Sequence, residues 1–384
     1  MAYSFDDSKI DEMIQVFENN FDEPMRALVE IVLNNLMLIE RDRHNQASSH
    51  ERSLSRRDSS NGFKPKKYKT RLGAMDLRVP QTRYEPFYPS CLEKGIRSER
   101  ALKLAIAEMY VQGVSTRKVQ HIVEEMSGMN VTSTEVSRCA KLLDTELEKW
   151  RNQKLGRVIY LYLDARYEKV RYEGKVIDVA ILSAIGVNEE GKKSVLGISV
   201  SLSEAEVHWS DFLASLRDRG LHGVELIISD DHAGLKVARK KNFGSIPWQR
   251  CLFHVQQNAQ SHCSRKSYRK PVAQDVRDIV NAPSKHVAEY ILKQKIEYWE
   301  QKDSKLAQWL ERVMPQTMTF YSFDRQHWKR IRTNNLAETY NKELKRRTRV
   351  ATLFPNIESL LRLATAQAME LSEYWETGKV YLQM

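Results

Sequence analysis

Cysteine is scarce in this chain. Its 384 residues hold four, Cys91, Cys139, Cys251 and Cys263, too few and too scattered for a disulfide framework. That predicts a reducing, cytoplasmic setting. No apolar run approaches the roughly 18 residues needed to span a bilayer, so no membrane partner is expected. The opening MAYSFDDSKIDEM carries acids where an export signal would carry basic residues, which argues against export. No internal repeat is present. Acid also falls short of base. The 50 Asp and Glu face 61 Lys and Arg, giving a net charge of +11 and a pI near 9.3. That balance favours a polyanionic partner, usually nucleic acid and sometimes an acidic membrane surface. What remains is ample for folding: 41% of residues are hydrophobic, and the length suggests two or three domains.

Residues 1–45 show helical spacing, with Ile10, Met13, Ile14 and Phe17 first and Pro24 suited to the first turn of a second helix. Residues 46–71 are Ser-rich and basic, with eight Lys or Arg from Arg52 to Arg71 against Glu51 and Asp58. So little apolar surface predicts either a solvated linker or a basic arm that follows phosphates. Residues 72–152 begin with a short alternating strand and continue as three helices. Ser115 caps the second helix, and Ser133 or Thr134 caps the third. This is helix-turn-helix-like spacing, with Thr134, Glu135, Ser137 and Arg138 opening the recognition helix. A plain helical bundle is the alternative, and the basic charge favours DNA.

From Arg157 the pattern changes to strand. VIYLYLD, a hairpin turn at Glu173-Gly174 and two further strands predict an antiparallel trio. A helix from Glu204 to Arg219, a short apolar strand to Ser229, a second helix and a strand near Cys251 follow. A β-β-β-α-β-α-β order with acids at strand ends suggests an α/β nuclease-like core. Residues of about 255–327 read as an all-helical insertion, and residues 351–384 as a C-terminal helix.

The stretch from Arg332 to Pro355 sets Glu338 at the start of a helix, ahead of a dense basic run. Asp164 ends an apolar strand, where a carboxylate must be solvated, paired or on a metal. Asp230 and Asp231 lie where a strand leaves the sheet and a helix begins, as at the clefts of α/β sheets. Each acid alone has a bland reading. Asp230 or Asp231 serves as a helix cap, and Glu338 completes a capping box with Asn335. Together, three carboxylates suit two Mg²⁺ ions, with Mn²⁺ as a substitute, that activate an attacking oxygen and stabilise a leaving one at phosphorus. Arg332, Lys342, Lys345, Arg346, Arg347 and Arg349 would neutralise a DNA backbone.

These stretches resemble the DDE transposases of bacterial insertion sequences, Mutator-like group. YLDARYEKVR is similar to the first-acid motif, with Asp164 as the acid. SDDHAGLK is similar to the second, with the acid on Asp230. WQRCLFHVQQN resembles the group's C-x-x-H signature at Cys251 and His254. RTNNLAETYNKELKRRTRV resembles the third, with the acid on Glu338. The resemblance spans roughly residues 70 to 365. It implies an RNase H-like catalytic core over residues 153–350, interrupted by the helical insertion. It also implies binding to the element's terminal inverted repeats, then metal-dependent cleavage and strand transfer. One departure is Asp231, where the group usually has a small residue. A second carboxylate there would raise a pKa or compete for metal.

Cys251 and His254 invite a zinc reading with His262 and Cys263. Adjacent residues such as the latter two seldom both reach one ion, and a structural or positioning role for Cys251 and His254 is favoured. His232 either packs beside Asp230 or assists at the phosphate. Asn335 and Asn341 are expected to orient Glu338, and Trp209 to lie in the core. The expectation is a transposase acting on double-stranded DNA as a homodimer or higher assembly. A DNA-binding descendant without catalysis, or a nuclease that cuts without joining, is the alternative.

Overall fold

The computed structural model describes residues 24–48, 51, 53–92, 100–111, 114–127, 129–348 and 353–384. The helical reading of residues 8–23 and the Gly113 break lie outside these. The chain forms two compact units, Met1–Leu143 and Asp144–Met384. Among the described residues no helix is long and apolar enough to cross a membrane.

In the first unit, helix α1 (Pro24–Asn45) lies against a hairpin of β1 (Ser60–Thr70) and β2 (Gly73–Thr82). Residues 60–70, expected within a linker or arm, are therefore strand. The reason is non-local. Met75, Leu77 and Val79 alternate along β2 and bury against Val29, Leu33 and Met37 of α1, and β1 is held to β2 by main-chain pairing. A strand secured in this way needs few apolar side chains of its own. Glu30 and Asn34 of α1 accept the amides of Asp76 and Arg78 on the outer edge of β2. Three helices follow: α2 (Arg100–Val111), α3 (Thr116–Ser127) and α4 (Ser133–Ala140). They enclose Leu102, Ile106, Val119, Val123 and Val136. The cap of α4 is Thr132, ahead of both Ser133 and Thr134, the two expected, in a full capping box with Glu135.

The second unit opens with α5 (Asp144–Arg151). The sequence suggests one helix running to Trp150, but a 3-10 turn at Lys141–Leu143 interrupts it. Asp144 accepts two hydrogen bonds from Arg362, at 2.6 and 2.8 Å. The boundary thus falls before α5, earlier than residue 152.

The five-stranded sheet runs β5-β4-β3-β6-β7. Its strands are β3 (Val158–Tyr172), β4 (Lys175–Asn188), β5 (Lys193–Ser201), β6 (Leu226–Ser229) and β7 (Trp248–Arg250). The first three are antiparallel neighbours, and β6 and β7 run parallel to β3. The β3–β4 turn holds Glu173 at φ 47° and Gly174 at φ 77°, the paired positive angles of a tight hairpin. One face of the sheet packs Leu161, Leu163 and Leu182 on α6 (Glu206–Asp218) and α7 (Ala233–Phe243), with Trp209 fully buried. The other face packs Tyr160, Tyr162 and Ile185 on α13 (Asn335–Thr348) and α14 (Ile357–Thr377). Between β7 and α13 the chain builds α8 (Leu252–Ser261), α9 (Arg269–Val280), α10 (Lys285–Glu300), α11 (Ser304–Val313) and the short α12 (Trp328–Ile331). Helices α8 to α11 share an apolar cluster of their own around Val276, Leu292, Trp299 and Leu310.

Candidate active site

The strand register brings the first two acids together. Tyr162 of β3 is level with Ile228 of the parallel neighbour β6. Two residues further on stand Asp164, in β3, and Asp230, just past the end of β6, close enough for the Asp230 charge to act on Asp164. One strand further, Ser229 is level with Arg250, so Cys251 stands next in the same row. Alternation along β3 puts Asp164 on the face of Tyr160 and Tyr162, toward α13. There Asn341 donates to Asp164 Oδ2 at 2.7 Å. Glu338 lies one turn before Asn341, on the same side of the helix. Thus β3, the end of β6 and the first turn of α13 each contribute one carboxylate.

The electrostatics follow from this crowding. Asp164 is 8% exposed. Burial, then the carboxylates of Asp230, Glu338 and Glu204, push its carboxyl up to about 8, against a partly offsetting amide bond from Ala165. Glu204, which the sequence reading overlooked, is a fourth acid at the site. Its carboxyl is raised by burial and by Asp230, while His232, Tyr167 and Trp209 favour its ionised form. His232 Nδ1 lies 3.6 Å from it. The sequence signal was the Gly of SDDHAGL. A Cβ on Gly234 would stand 2.2 Å from the Glu204 carbonyl oxygen, so this glycine lets α7 close on the segment bearing Glu204.

Asp231 faces away from this group. Its carboxylate is paired with Lys236 and, at 2.8 Å, with Arg250. It is therefore neutralised by cations, and Asp230, whose Oδ1 accepts from the His232 amide at 3.4 Å, is the acid beside Asp164.

Cys251 and Asn334 tie α13 to the sheet. Cys251 is fully buried, and its amide donates to Ser229 O at 2.7 Å. Its sulfur accepts the Asn334 amide at 3.2 Å, and burial pushes the thiol up to about 11. Asn334, also buried, donates from Nδ2 to Leu163 O at 2.9 Å, one residue before Asp164. The sequence reading had given a positioning part to Asn335, but Asn335 is exposed and is the first residue of α13. Glu338 donates its amide to Asn334 O, so the expected capping box with Asn335 is absent. His254 sits edge-on to Phe253, with Nδ1 buried and unpartnered. His262 stacks on Trp309, and the Cys263 thiol donates to Ala259 O. The zinc reading is not supported.

Among the described residues no three His, Cys, Asp or Glu side chains are placed to hold one ion jointly. The donor chemistry still fits a hard divalent cation. The carboxylates are oxygen donors crowded into mutual repulsion, and magnesium commonly takes only one or two protein carboxylates, completing its shell with water and phosphate.

The expected DNA-contacting cations divide. Lys342, Lys345 and Arg346 are exposed on α13, Arg346 pairing with Glu343 at 3.0 Å, and Arg138 is exposed on α4. Arg347 is buried and held at both nitrogens by Glu370. The Arg332 side chain is tied to Val280 O and Asn281 in the helical block. Arg349 lies outside the described residues.

Comparison with known proteins identifies the class. The sequence profile described as "Transposase, Mutator family" matches residues 5–378, and the chain belongs to that family. It is 50% identical over 369 residues to the transposase for insertion sequence element IS406 of Burkholderia multivorans, covering 96% of this chain and 95% of that protein. It is 38% identical to the transposase for ISRM5 of Rhizobium meliloti, over 94% of this chain and 90% of that one. The transposase for IS256 in transposon Tn4001 of Staphylococcus aureus is 34% identical, with 96% and 95% covered.

Proposed function

We propose that this protein is the transposase of an insertion sequence. It binds the element's terminal inverted repeats and catalyses metal-dependent strand cleavage and strand transfer, with Asp164, Asp230 and Glu338 as the catalytic acids. The observation that carries this reading is the parallel pairing of β3 with β6, level at Tyr162 and Ile228, which brings Asp164 and, just past the end of β6, Asp230 together with Glu338 of α13 within one another's electrostatic reach. The sheet, three antiparallel strands followed by two parallel ones, supports an RNase H-like core. The clustered helices α2 to α4 support the helix-turn-helix-like reading. Glu135, held in the capping box and by Lys69 at 3.2 Å, is not available to bases there, so Thr134, Ser137 and Arg138 are the contacts this reading retains.

Two Mg²⁺ ions held by the three acids would activate the attacking oxygen and stabilise the leaving oxygen at phosphorus. The chain's own residues do the positioning. Asn341 fixes one oxygen of Asp164, and Asn334 and Cys251 fix the start of α13. Lys342, Lys345 and Arg346 offer charge to the DNA backbone. The proposed setting is the cytoplasm, at the nucleoid, with a dimer or larger assembly pairing two DNA ends.

The test uses element-end DNA with Mg²⁺ and the wild-type chain beside Asp164→Ala. Junction-specific cuts and joined products from wild type only, with end binding retained in the variant, are expected. Cleavage by the variant would remove Asp164 from the catalytic set. Cuts without joined products would make the protein a nuclease.

A further inference from the structure

The β1–β2 hairpin carries more charge than its packing uses. From Ser60 to Arg83 it holds seven Lys or Arg residues and one acid, Asp76. Lys66 donates to the Tyr88 hydroxyl and lies over the Tyr68 and Tyr88 rings. Lys69 pairs with Glu135. Lys64, Lys67, Arg78 and Arg83 are exposed, and their side chains make no ion pair among the described residues. The register sets Phe63 opposite Pro80, Pro65 opposite Arg78 and Lys67 opposite Asp76. These residues share the face turned away from Met75, Leu77 and Val79, which α1 covers. At the end away from the turn, Phe63 is 51% and Tyr84 76% exposed.

We propose that this ribbon docks on double-stranded DNA through the DNA backbone, with Lys67, Arg78 and Arg83 as phosphate contacts and Phe63 and Tyr84 beside them; Lys64, level with Val79, belongs to the other face. The inference rests on the transposase reading. A two-stranded ribbon fits the major groove, which is about 12 Å wide. At roughly 3.4 Å per residue the 11-residue β1 spans about 37 Å, close to one turn of duplex. The charge excess on the ribbon complements the duplex. The rival occupant, a second copy pairing with the free edge of β1, is opposed by Pro65 and by the density of lysines along that edge.

The test measures binding of the full chain to an element-end duplex and to an unrelated duplex of equal length, across a salt series. The variant combines Lys67→Gln, Arg78→Gln and Arg83→Gln. The log-affinity against log-salt slope should flatten by roughly two to three, at about 0.9 per lost phosphate contact. The loss should be equal on both duplexes. Lys67→Gln and Arg78→Gln alone should each flatten it by about one, which keeps the test decisive if the combined variant misfolds. Wild-type binding with unchanged slopes in the variants overturns the ribbon assignment alone, and self-association of the variant with an unchanged slope would mean that the lysines only guard the edge. No wild-type binding to either duplex overturns the ribbon and the transposase reading together.

Discussion

Replacing Asp164 by Asn is expected to stabilise the metal-free protein, by an amount that grows with pH. The Asp164 carboxyl is pushed from 3.8 to about 8, by burial first and then by Asp230, Glu338 and Glu204. Between those values the folded state keeps a proton that the unfolded state has lost. Stability therefore falls as pH rises from about 4 to about 8 and levels off above that. At about 1.36 kcal/mol per unit, moving from about pH 5 to about pH 7 costs the wild type on the order of 2 to 3 kcal/mol. Asparagine keeps the shape, cannot ionise and still presents an oxygen to Asn341. With about 2 to 4 °C of Tm per kcal/mol for a unit of this size, the gap between variant and wild type should widen by roughly 5 to 10 °C over that pH interval. The assay is thermal unfolding followed by circular dichroism in EDTA, at both pH values. Millimolar Mg²⁺ should narrow the gap near pH 8 by stabilising wild type more than the variant. A variant less stable than wild type near pH 8, or a gap that does not change with pH, would refute the argument that Asp164 is a buried carboxyl repelled by its neighbours.

Two further outcomes follow from the same geometry. Asn334→Ala leaves the buried Leu163 carbonyl without its donor, a loss of about 1 to 3 kcal/mol. Strand cleavage should fall while end binding persists, and unchanged cleavage would disprove the tether between α13 and the sheet. Gly234→Ala sets a methyl group 2.2 Å from the Glu204 carbonyl, and the resulting overpacking should cost about 1 to 3 kcal/mol or more, read as a lower Tm. A Tm equal to wild type would show that α7 can move aside freely.

The sequence was informative wherever a pattern is local. The apolar runs of β3 and β4, the Glu173-Gly174 turn and the short β6 are read from periodicity and turn chemistry, because each depends on residues close together in the chain. The β-β-β-α-β-α-β order followed from them. The strand character of residues 60–70 was not legible. Lys, Pro and Tyr there satisfy no local pattern, and the strand exists because β2 is buried on α1.

The site divides in the same way. Sequence by itself determined which carboxylates stand at strand ends and at a helix start: Asp164, Asp230 with Asp231, and Glu338. The resemblance already put the second acid on Asp230; the tertiary structure added what holds its neighbour apart, since Lys236 and Arg250 pair with Asp231. Only the fold added Glu204, showed that Asn334 and not Asn335 ties α13 to the sheet, and removed Arg347 from the exposed cations by pairing it with Glu370. In each case the deciding partner lies on another element. A chain's own spacing states which chemistry it carries, and packing decides which of those groups face one another.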